Sequence, residues 1–200
     1  MTSRDEILRN VRRRLPQSAE LPSLDRDWIR YPDREVQFLE SLAFVGGRGM
    51  VVECVSAADS ALRELPAWSG AKQTFSAVRG VGSSTVDLSQ VEDPHALQDV
   101  DFAVLPGEFA VAENGAVWIT DANVRHRVIY FLTQHLALVV PRREMVDTMH
   151  AAYERISLGE KRFGAFISGP SKTADIEQSL VIGAHGARSM TVFLVSDGPA

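Results

Sequence analysis

The sequence predicts an α/β fold in which helices cover both faces of a mostly parallel sheet. Short continuous apolar runs recur along the chain, for example at residues 101–105 and 136–140. Runs of this kind, separated by segments of helical periodicity, are typical of strands that are buried on both faces. With 200 residues, of which 45% are hydrophobic, the chain can bury one sizeable core. These observations favour a single globular unit.

The regular alternation of strand and helix begins only after Gly49. Before it, the sequence predicts a helix that Pro16 ends, a polar connection, and a second helix over about residues 33–44. Residues 1–45 are therefore expected to form an N-terminal helical arm. Residues 46–200 are expected to form the α/β domain.

The predicted strands are short and apolar, and they cover residues 49–55, 101–105, 116–120, 136–140, 165–167 and 191–195. A helix is expected over residues 56–65. A second one is expected to begin at Pro141, because proline suits the first turn of a helix. Apolar residues at helical spacing, from Met145 to Ile156, would form its buried stripe.

The stretch from Ala165 to Gln178 carries the clearest functional signal. An apolar strand breaks at Ser168-Gly169-Pro170, and a helix is predicted to begin at about Thr173. The first N–H groups of a helix lack intrahelical partners and favour an anion. Lys172 adds a positive charge, and Ser171 and Thr173 add hydroxyl groups. This loop is expected at the carboxyl end of a parallel strand, where such sheets bind ligands.

Glu113 lies between two apolar runs and is followed by Asn114-Gly115. The Asn-Gly pair is a strong hairpin signal, so one interpretation is a tight turn with an exposed carboxylate. The alternative is a carboxylate held at a strand end as a nucleophile, base or ligand contact.

His185 lies between Gly183 and Gly186, and the glycines allow close approach of the main chain. The histidine could bind an anion, transfer a proton or simply end a helix. The other histidines lack the spacing of metal ligands, so no metal site is predicted.

Composition disfavours several function classes. The net charge is −5, and the run Arg12-Arg13-Arg14 is better explained as a solvated helix face than as a nucleic-acid contact. Apolar runs are too short for a membrane span, and the N-terminus does not resemble a signal peptide, so the cytoplasm is the expected compartment. Cys54 is the single cysteine, so this chain alone forms no internal disulfide and holds no iron–sulfur cluster.

Three blocks together resemble the LUD-domain family, in particular its lactate-utilisation C branch. They are residues 112–117, residues 135–141, and residues 167–177 with 183–186. The resemblance implies a three-layer α/β sandwich like that of ribose-phosphate isomerases and CoA transferases. It also implies oxidation of L-lactate, or a related hydroxy acid, to pyruvate. Iron–sulfur clusters would then belong to partner subunits, and this chain would bind no cofactor itself.

The resemblance also implies one site for a small anionic metabolite. Its catalytic residues would be Glu113 and His185. Its ligand-binding residues would be Asn114, Gly115, Ser168, Gly169, Pro170, Ser171, Lys172, Thr173, Glu177 and Gly186. The family usually reads Ala-Glu-Thr-Gly-Thr where this chain has Ala-Glu-Asn-Gly-Ala at residues 112–116, so ligand contacts through those hydroxyl groups would be changed.

Three functions remain open at the level of sequence. The first is an accessory or catalytic subunit for the oxidation of lactate or a related hydroxy acid. The second is a non-catalytic module that binds a small anion or assembles partners, and the third is a transferase or isomerase. The last would act on a phosphorylated or CoA-linked substrate and rests on the analogy of fold alone. The oligomeric state does not follow from the sequence.

Overall fold

The computed structural model describes residues 2–15, 20, 22–24, 26–122, 124–156, 163–174, 180–183 and 186–197. The helices are α1 (Ser3–Arg13), α2 (Arg34–Phe44), α3 (Val55–Arg63), α4 (Pro66–Ser69), α5 (Ile129–Leu132) and α6 (Met149–Arg155). The strands are β1 (Arg48–Cys54), β2 (Thr74–Ser76), β3 (Phe102–Pro106), β4 (Phe109–Val111), β5 (Ala116–Thr120), β6 (His135–Pro141), β7 (Met145–Val146), β8 (Gly164–Ile167), β9 (Lys172–Ala174), β10 (Leu180–Ile182) and β11 (Ser189–Asp197). Two short 3-10 helices cover Leu88–Gln90 and Pro94–Asp99.

The central sheet has five strands in the order β1-β11-β6-β3-β2, and its neighbouring strands run parallel. Leu138 in the middle of β6 pairs with Leu105 of β3 and with Val192 of β11. All three side chains are buried, as expected for strands covered on both faces. The predicted α/β fold with a mostly parallel sheet is confirmed.

A second sheet, in the order β7-β4-β5-β8, is mixed. Strands β4 and β5 form an antiparallel hairpin, β8 pairs antiparallel with β5, and β7 pairs parallel with β4. Strands β9 and β10 pair antiparallel as a separate ribbon.

The layers are held by apolar side chains that alternate along the central strands. One face of the central sheet packs on α3 and α4 through residues such as Val139 and Phe193. The opposite face packs on α2 and on the second sheet through residues such as Leu138 and Val192. Helix α6 covers the far side of the second sheet, where Ala152 packs beside Phe109.

The two N-terminal helices differ in their packing. None of the described residues of α1 is buried, whereas α2 buries Phe38 and Leu42 completely in the core. Asp33 caps α2 by accepting hydrogen bonds from the N–H groups of Glu35 and Val36. Helix α2 is thus part of the globular core, although it precedes the boundary predicted at residue 45, and that boundary stays a prediction.

Two sequence-based expectations about secondary structure are wrong. Residues 172–174 form β9 rather than the start of a helix, because their main chain pairs with β10. Met145 and Val146 form β7, which pairs with Ala110 and Val111, so the predicted helix begins only at Met149. In both places a non-local strand pairing overrides the local pattern.

Candidate functional site

The Asn114-Gly115 pair turns the chain between β4 and β5, as the hairpin signal predicts. The side-chain oxygen Oδ1 of Asn114 accepts a hydrogen bond from the N–H of Ala116 at 3.1 Å, which closes the turn. Gly115 has φ of 66°, and a Cβ atom there would lie 2.6 Å from the main-chain nitrogen of Leu42. A larger residue at 115 would therefore push the turn away from α2.

Glu113 is exposed on this turn. Its carboxylate, its carbonyl oxygen and its N–H group all form hydrogen bonds. Its Oε2 atom accepts a hydrogen bond from the N–H of Met149 at 2.7 Å, at the first residue of α6. Its carbonyl oxygen accepts from the Ser41 hydroxyl at 3.3 Å, and its own N–H donates to the carbonyl oxygen of Asp147 at 3.0 Å. The carboxylate therefore satisfies an N–H group that has no partner within the helix.

The segment 168–172 lies beside the turn. The Ser168 hydroxyl donates a hydrogen bond to the carbonyl oxygen of Asn114 at 2.7 Å. Gly169 has φ of 74°, and a Cβ atom there would lie 2.7 Å from the carbonyl oxygen of Val45. A Cβ atom at Gly46 would touch Pro170 and, at 3.8 Å, the Cε atom of Lys172. Residues 113–115 and 168–172, together with 41–46 of the α2 end, form what we call the turn–loop surface.

Ser171 connects the turn–loop surface to the glycine-rich segment before β11. Its N–H donates to the carbonyl oxygen of Ala187 at 2.8 Å, and its own carbonyl oxygen accepts from the N–H of Gly183 at 2.9 Å. A Cβ atom at Gly186 would lie 3.0 Å from the Cβ atom of Ser171. The structure thus brings Ser171 and Gly186 together. The main chain of Thr173 pairs with Val181 in the ribbon, and Glu177 and His185 lie outside the described residues.

The position of this surface relative to the sheet differs from the expectation. Gly46 and Gly47 precede β1, and Ala187 precedes β11, so the surface lies at the amino edge of the central sheet. Strand β8, which leads into it, belongs to the second sheet and runs antiparallel to β5. The expectation of a loop at the carboxyl end of a parallel strand, with a helix N-terminus, is wrong. Without a helix N-terminus, the groups that could attract an anion here are Lys172 and the polar groups of the turns.

A cleft of about 500 Å³ opens beside Glu113 and Asn114, against the exposed side of α2. Its helical wall includes Gln37, Ser41 and Phe44, and Phe44 is 90% exposed. This cleft is where a ligand could reach the turn.

Within the described ranges, no group of three or more His, Cys, Asp or Glu residues is placed to hold a metal ion. In the same part of the chain, no helix is both long and apolar enough to cross a membrane.

Sequence reasoning did not single out the polar residues at the carboxyl edge of the central sheet. Arg142 and Arg143 follow directly after β6, and Ser196 lies near the end of β11. Together with Arg34 they line a cleft of about 660 Å³. A sequence signal for this cleft does exist, since two consecutive arginines, Arg142 and Arg143, follow the apolar run that forms β6.

Comparison with known proteins gives a consistent result. The LUD domain model matches residues 39–195. The chain is 29% identical over 224 residues to lactate utilization protein C of Exiguobacterium sp., and the alignment covers 98% of this chain and 97% of that protein. It is also 30% identical over 125 residues to the protein of the same name from Bacillus pumilus. That alignment covers 58% of this chain and 51% of the relative, about half of its length.

The fold also matches a solved structure. The crystal structure of a DUF162 family protein from Deinococcus radiodurans superposes with a TM-score of 0.58 and 16% sequence identity. The match covers 81% of this chain and 96% of that one. At this level of identity the likeness concerns the fold alone.

Proposed function

Since the chain belongs to the LUD domain family, we propose that it is a subunit of a lactate-utilisation system that oxidises L-lactate, or a related hydroxy acid, to pyruvate. The near full-length similarity to a protein named lactate utilization protein C supports this assignment. The site would be the turn–loop surface, where an anionic metabolite would contact Lys172, the hydroxyl groups of the 168–172 segment, and Glu113.

The observation that carries the proposal is the hydrogen bond between Ser168 and Asn114, at 2.7 Å. It joins two segments that are 54 positions apart in the sequence. These two segments carry most of the residues expected to form one site. A ligand that needs both segments would find them already in contact, which lowers the ordering cost of binding.

Oxidation of lactate to pyruvate releases two electrons and two protons, and the electrons need an acceptor. Protein side chains such as carboxylates and imidazoles move protons, not electron pairs. We therefore propose that the acceptor is an iron–sulfur cluster in partner subunits, because the only cysteine of this chain is Cys54. Glu113 and His185 would handle protons and orientation.

A second candidate is a non-catalytic module that binds the anion while a partner carries out the chemistry. The bond from Met149 to the Glu113 carboxylate favours it, because an acceptor that already caps a helix is less available as a base.

Ligand titration tests the binding part of the proposal. Calorimetry with L-lactate and with pyruvate should give saturable binding to the wild-type chain. We expect Lys172→Ala to weaken it by about tenfold, the loss of one charge-assisted contact. The matched control is Lys72→Ala, which removes an exposed lysine two residues before β2. Equal affinity in the two variants, or no binding of either acid, would contradict the proposed site.

A genetic and a biochemical experiment test the wider role. Deleting the gene in its own organism should abolish growth on L-lactate and leave growth on pyruvate intact. Proteins that copurify with the chain from lactate-grown cells should contain iron and acid-labile sulfide. With an artificial electron acceptor supplied, activity of the purified chain alone would favour the catalytic role, and activity only with the copurified partners would favour the binding module. Unimpaired growth of the deletion strain on L-lactate would refute the function.

A further inference from the structure

The carboxyl edge of the central sheet contains a second, separate cleft. It is bounded by residues 31–35 before and within the first turn of α2, by residues 142–145 after β6, and by Ser196 of β11. We call it the arginine cleft. Its volume is about 660 Å³, enough for a small metabolite.

The topology of the sheet shows where this cleft lies. After β1 the chain passes into α3, whose Ala58 and Leu62 pack on one face of the sheet. After β6 the chain passes into β7 and α6, on the opposite side. Strand β11 lies between β1 and β6. The cleft is lined by residues that follow β6 and by Ser196 near the end of β11, at the carboxyl edge, where open α/β sheets bind ligands.

The side chains of the arginine cleft favour an anion. Three guanidinium groups line it, from Arg34, Arg142 and Arg143, together with the carboxylates of Asp33 and Glu35. The Asp33 carboxylate is turned to the N–H groups of Glu35 and Val36 as the cap of α2. Because that carboxylate is already bonded to main-chain donors, it competes less for the guanidinium groups.

Arg142 is held in a defined orientation. Its Nε and Nη2 atoms both bond the Glu35 carboxylate, the second at 3.1 Å, so the pair is bidentate. Its remaining Nη1 atom lies 3.4 Å from the Ser196 hydroxyl oxygen, a long contact that a ligand oxygen could replace. Glu35 thus acts as a positioning residue for this guanidinium.

Arg143 and Arg34 differ in how firmly they are held. The Arg143 side chain is 84% exposed, and its ion pair with the adjacent Glu144, at 3.3 Å, is of the weak surface type. Arg34 is fixed by Asp147 at 3.0 Å and by the carbonyl oxygen of Met145 at 3.2 Å. Arg143 can therefore turn toward a ligand, while Arg34 forms part of the fixed wall.

The geometry points to the arginine cleft as a binding site for a carboxylate or phosphate group of a small metabolite, held by Arg142, Arg143 and the Ser196 hydroxyl. This site is separate from the turn–loop surface, and the inference does not depend on the proposed function. Arginine is suited to both groups because its planar guanidinium matches two oxygens of either anion.

The test is an NMR titration of the ¹⁵N-labelled full chain with inorganic phosphate, with L-lactate, and with sodium chloride at matched ionic strength. We expect saturable shifts of the Arg142 and Arg143 Nε–H signals with phosphate or with L-lactate, but not with chloride. The anion that saturates at the lower concentration identifies the preferred chemistry.

Variants connect the binding to the cleft. The double variant Arg142→Gln/Glu35→Gln removes the guanidinium and its carboxylate partner together, so that no unpaired charge remains. It should weaken anion binding by about tenfold. Arg143→Gln, at an exposed position, should weaken it by about threefold and provides the test if the double variant does not fold. The control Arg63→Gln removes an arginine from a surface pair with Asp59, at 2.8 Å, and should leave affinity unchanged.

Three results would overturn the inference. The first is the absence of saturable shifts with both anions. The second is wild-type affinity in a folded Arg142→Gln/Glu35→Gln variant, or in Arg143→Gln. The third is loss of the Arg142 and Arg143 shifts in Lys172→Ala, which would place the anion that causes them on the turn–loop surface instead.

Discussion

The hydroxyl of Ser168 and the carbonyl oxygen of Asn114 are 2.7 Å apart and joined by a hydrogen bond. We expect Ser168→Ala to lower the free energy of unfolding by about 0.5–1.5 kcal/mol, the usual net contribution of one such bond. Ser168→Thr keeps a hydroxyl and should lose less. Urea denaturation measures both values, and equal losses in the two variants would show that the bond contributes nothing.

Gly115 and Gly46 provide a matched pair for the packing of the turn on α2. Both have positive φ, 66° and 85°, so alanine at either position is strained by about 1–3 kcal/mol. Only at Gly115 would the new Cβ atom also meet main-chain atoms, at 2.6 Å from the nitrogen of Leu42. Gly115→Ala should therefore be the more destabilising of the two by thermal denaturation. The reverse order would mean that the turn does not rest on α2.

Glu113 has a structural role that can be separated from its proposed role with the ligand. Glu113→Ala removes the acceptor for the Met149 N–H and should cost about 1 kcal/mol, as loss of a helix cap does. Glu113→Gln keeps an acceptor oxygen and should cost less, while it removes the charge and any function as a base. If both variants keep full activity with the partner subunits, Glu113 is not catalytic.

The contrast between α1 and α2 predicts very different effects of truncating their side chains. Phe38 of α2 is fully buried, so Phe38→Ala should cost about 3–5 kcal/mol. Ile7 of α1 is 59% exposed, so Ile7→Ala should change stability by less than about 0.5 kcal/mol. Chemical denaturation of both variants checks this. A large loss at Ile7 would show that α1 packs on the core in solution.

His135 should make stability depend on pH. Burial, with a smaller contribution from Arg188, lowers the pKa of His135 below its usual 6.5. Between the two values the unfolded chain binds more protons than the folded one, so the free energy of unfolding falls as the pH drops from about 6.5 through the lower folded-state pKa. His135→Gln should reduce this loss, and an undiminished pH dependence in that variant would contradict the assignment to His135. The measurement is urea denaturation from pH 7.5 to pH 5.

Patterns in neighbouring residues predicted the secondary structure well at tight turns and at strands that are buried on both faces. The apolar runs around Leu105 and Leu138 became β3 and β6, because a strand covered on both faces must be apolar throughout. The Asn114-Gly115 pair forms the β4–β5 turn, because the turn needs a positive φ that glycine adopts without strain, and φ at Gly115 is positive. These outcomes depend on residues that are close in the sequence.

The same signals failed where a distant partner decides the conformation. Lys172–Ala174 pairs with Leu180–Ile182, and Met145–Val146 pairs with Ala110–Val111. Their local composition is compatible with a helix, but strand pairing satisfies the main chain and overrides that preference.

The α/β class, the apolar strands of the central sheet, the tight turn at Asn114-Gly115 and the motifs of the LUD family can all be read from the order of residues. Burial and turn formation act over a few residues, so a single stretch of sequence is enough to encode them. The contact between Ser168 and Asn114 at the amino edge of the sheet cannot be read in this way, nor can the cleft that Arg142 and Ser196 share at the carboxyl edge. Strand order and the direction of each crossover set these positions, and both arise from packing between distant segments of the chain.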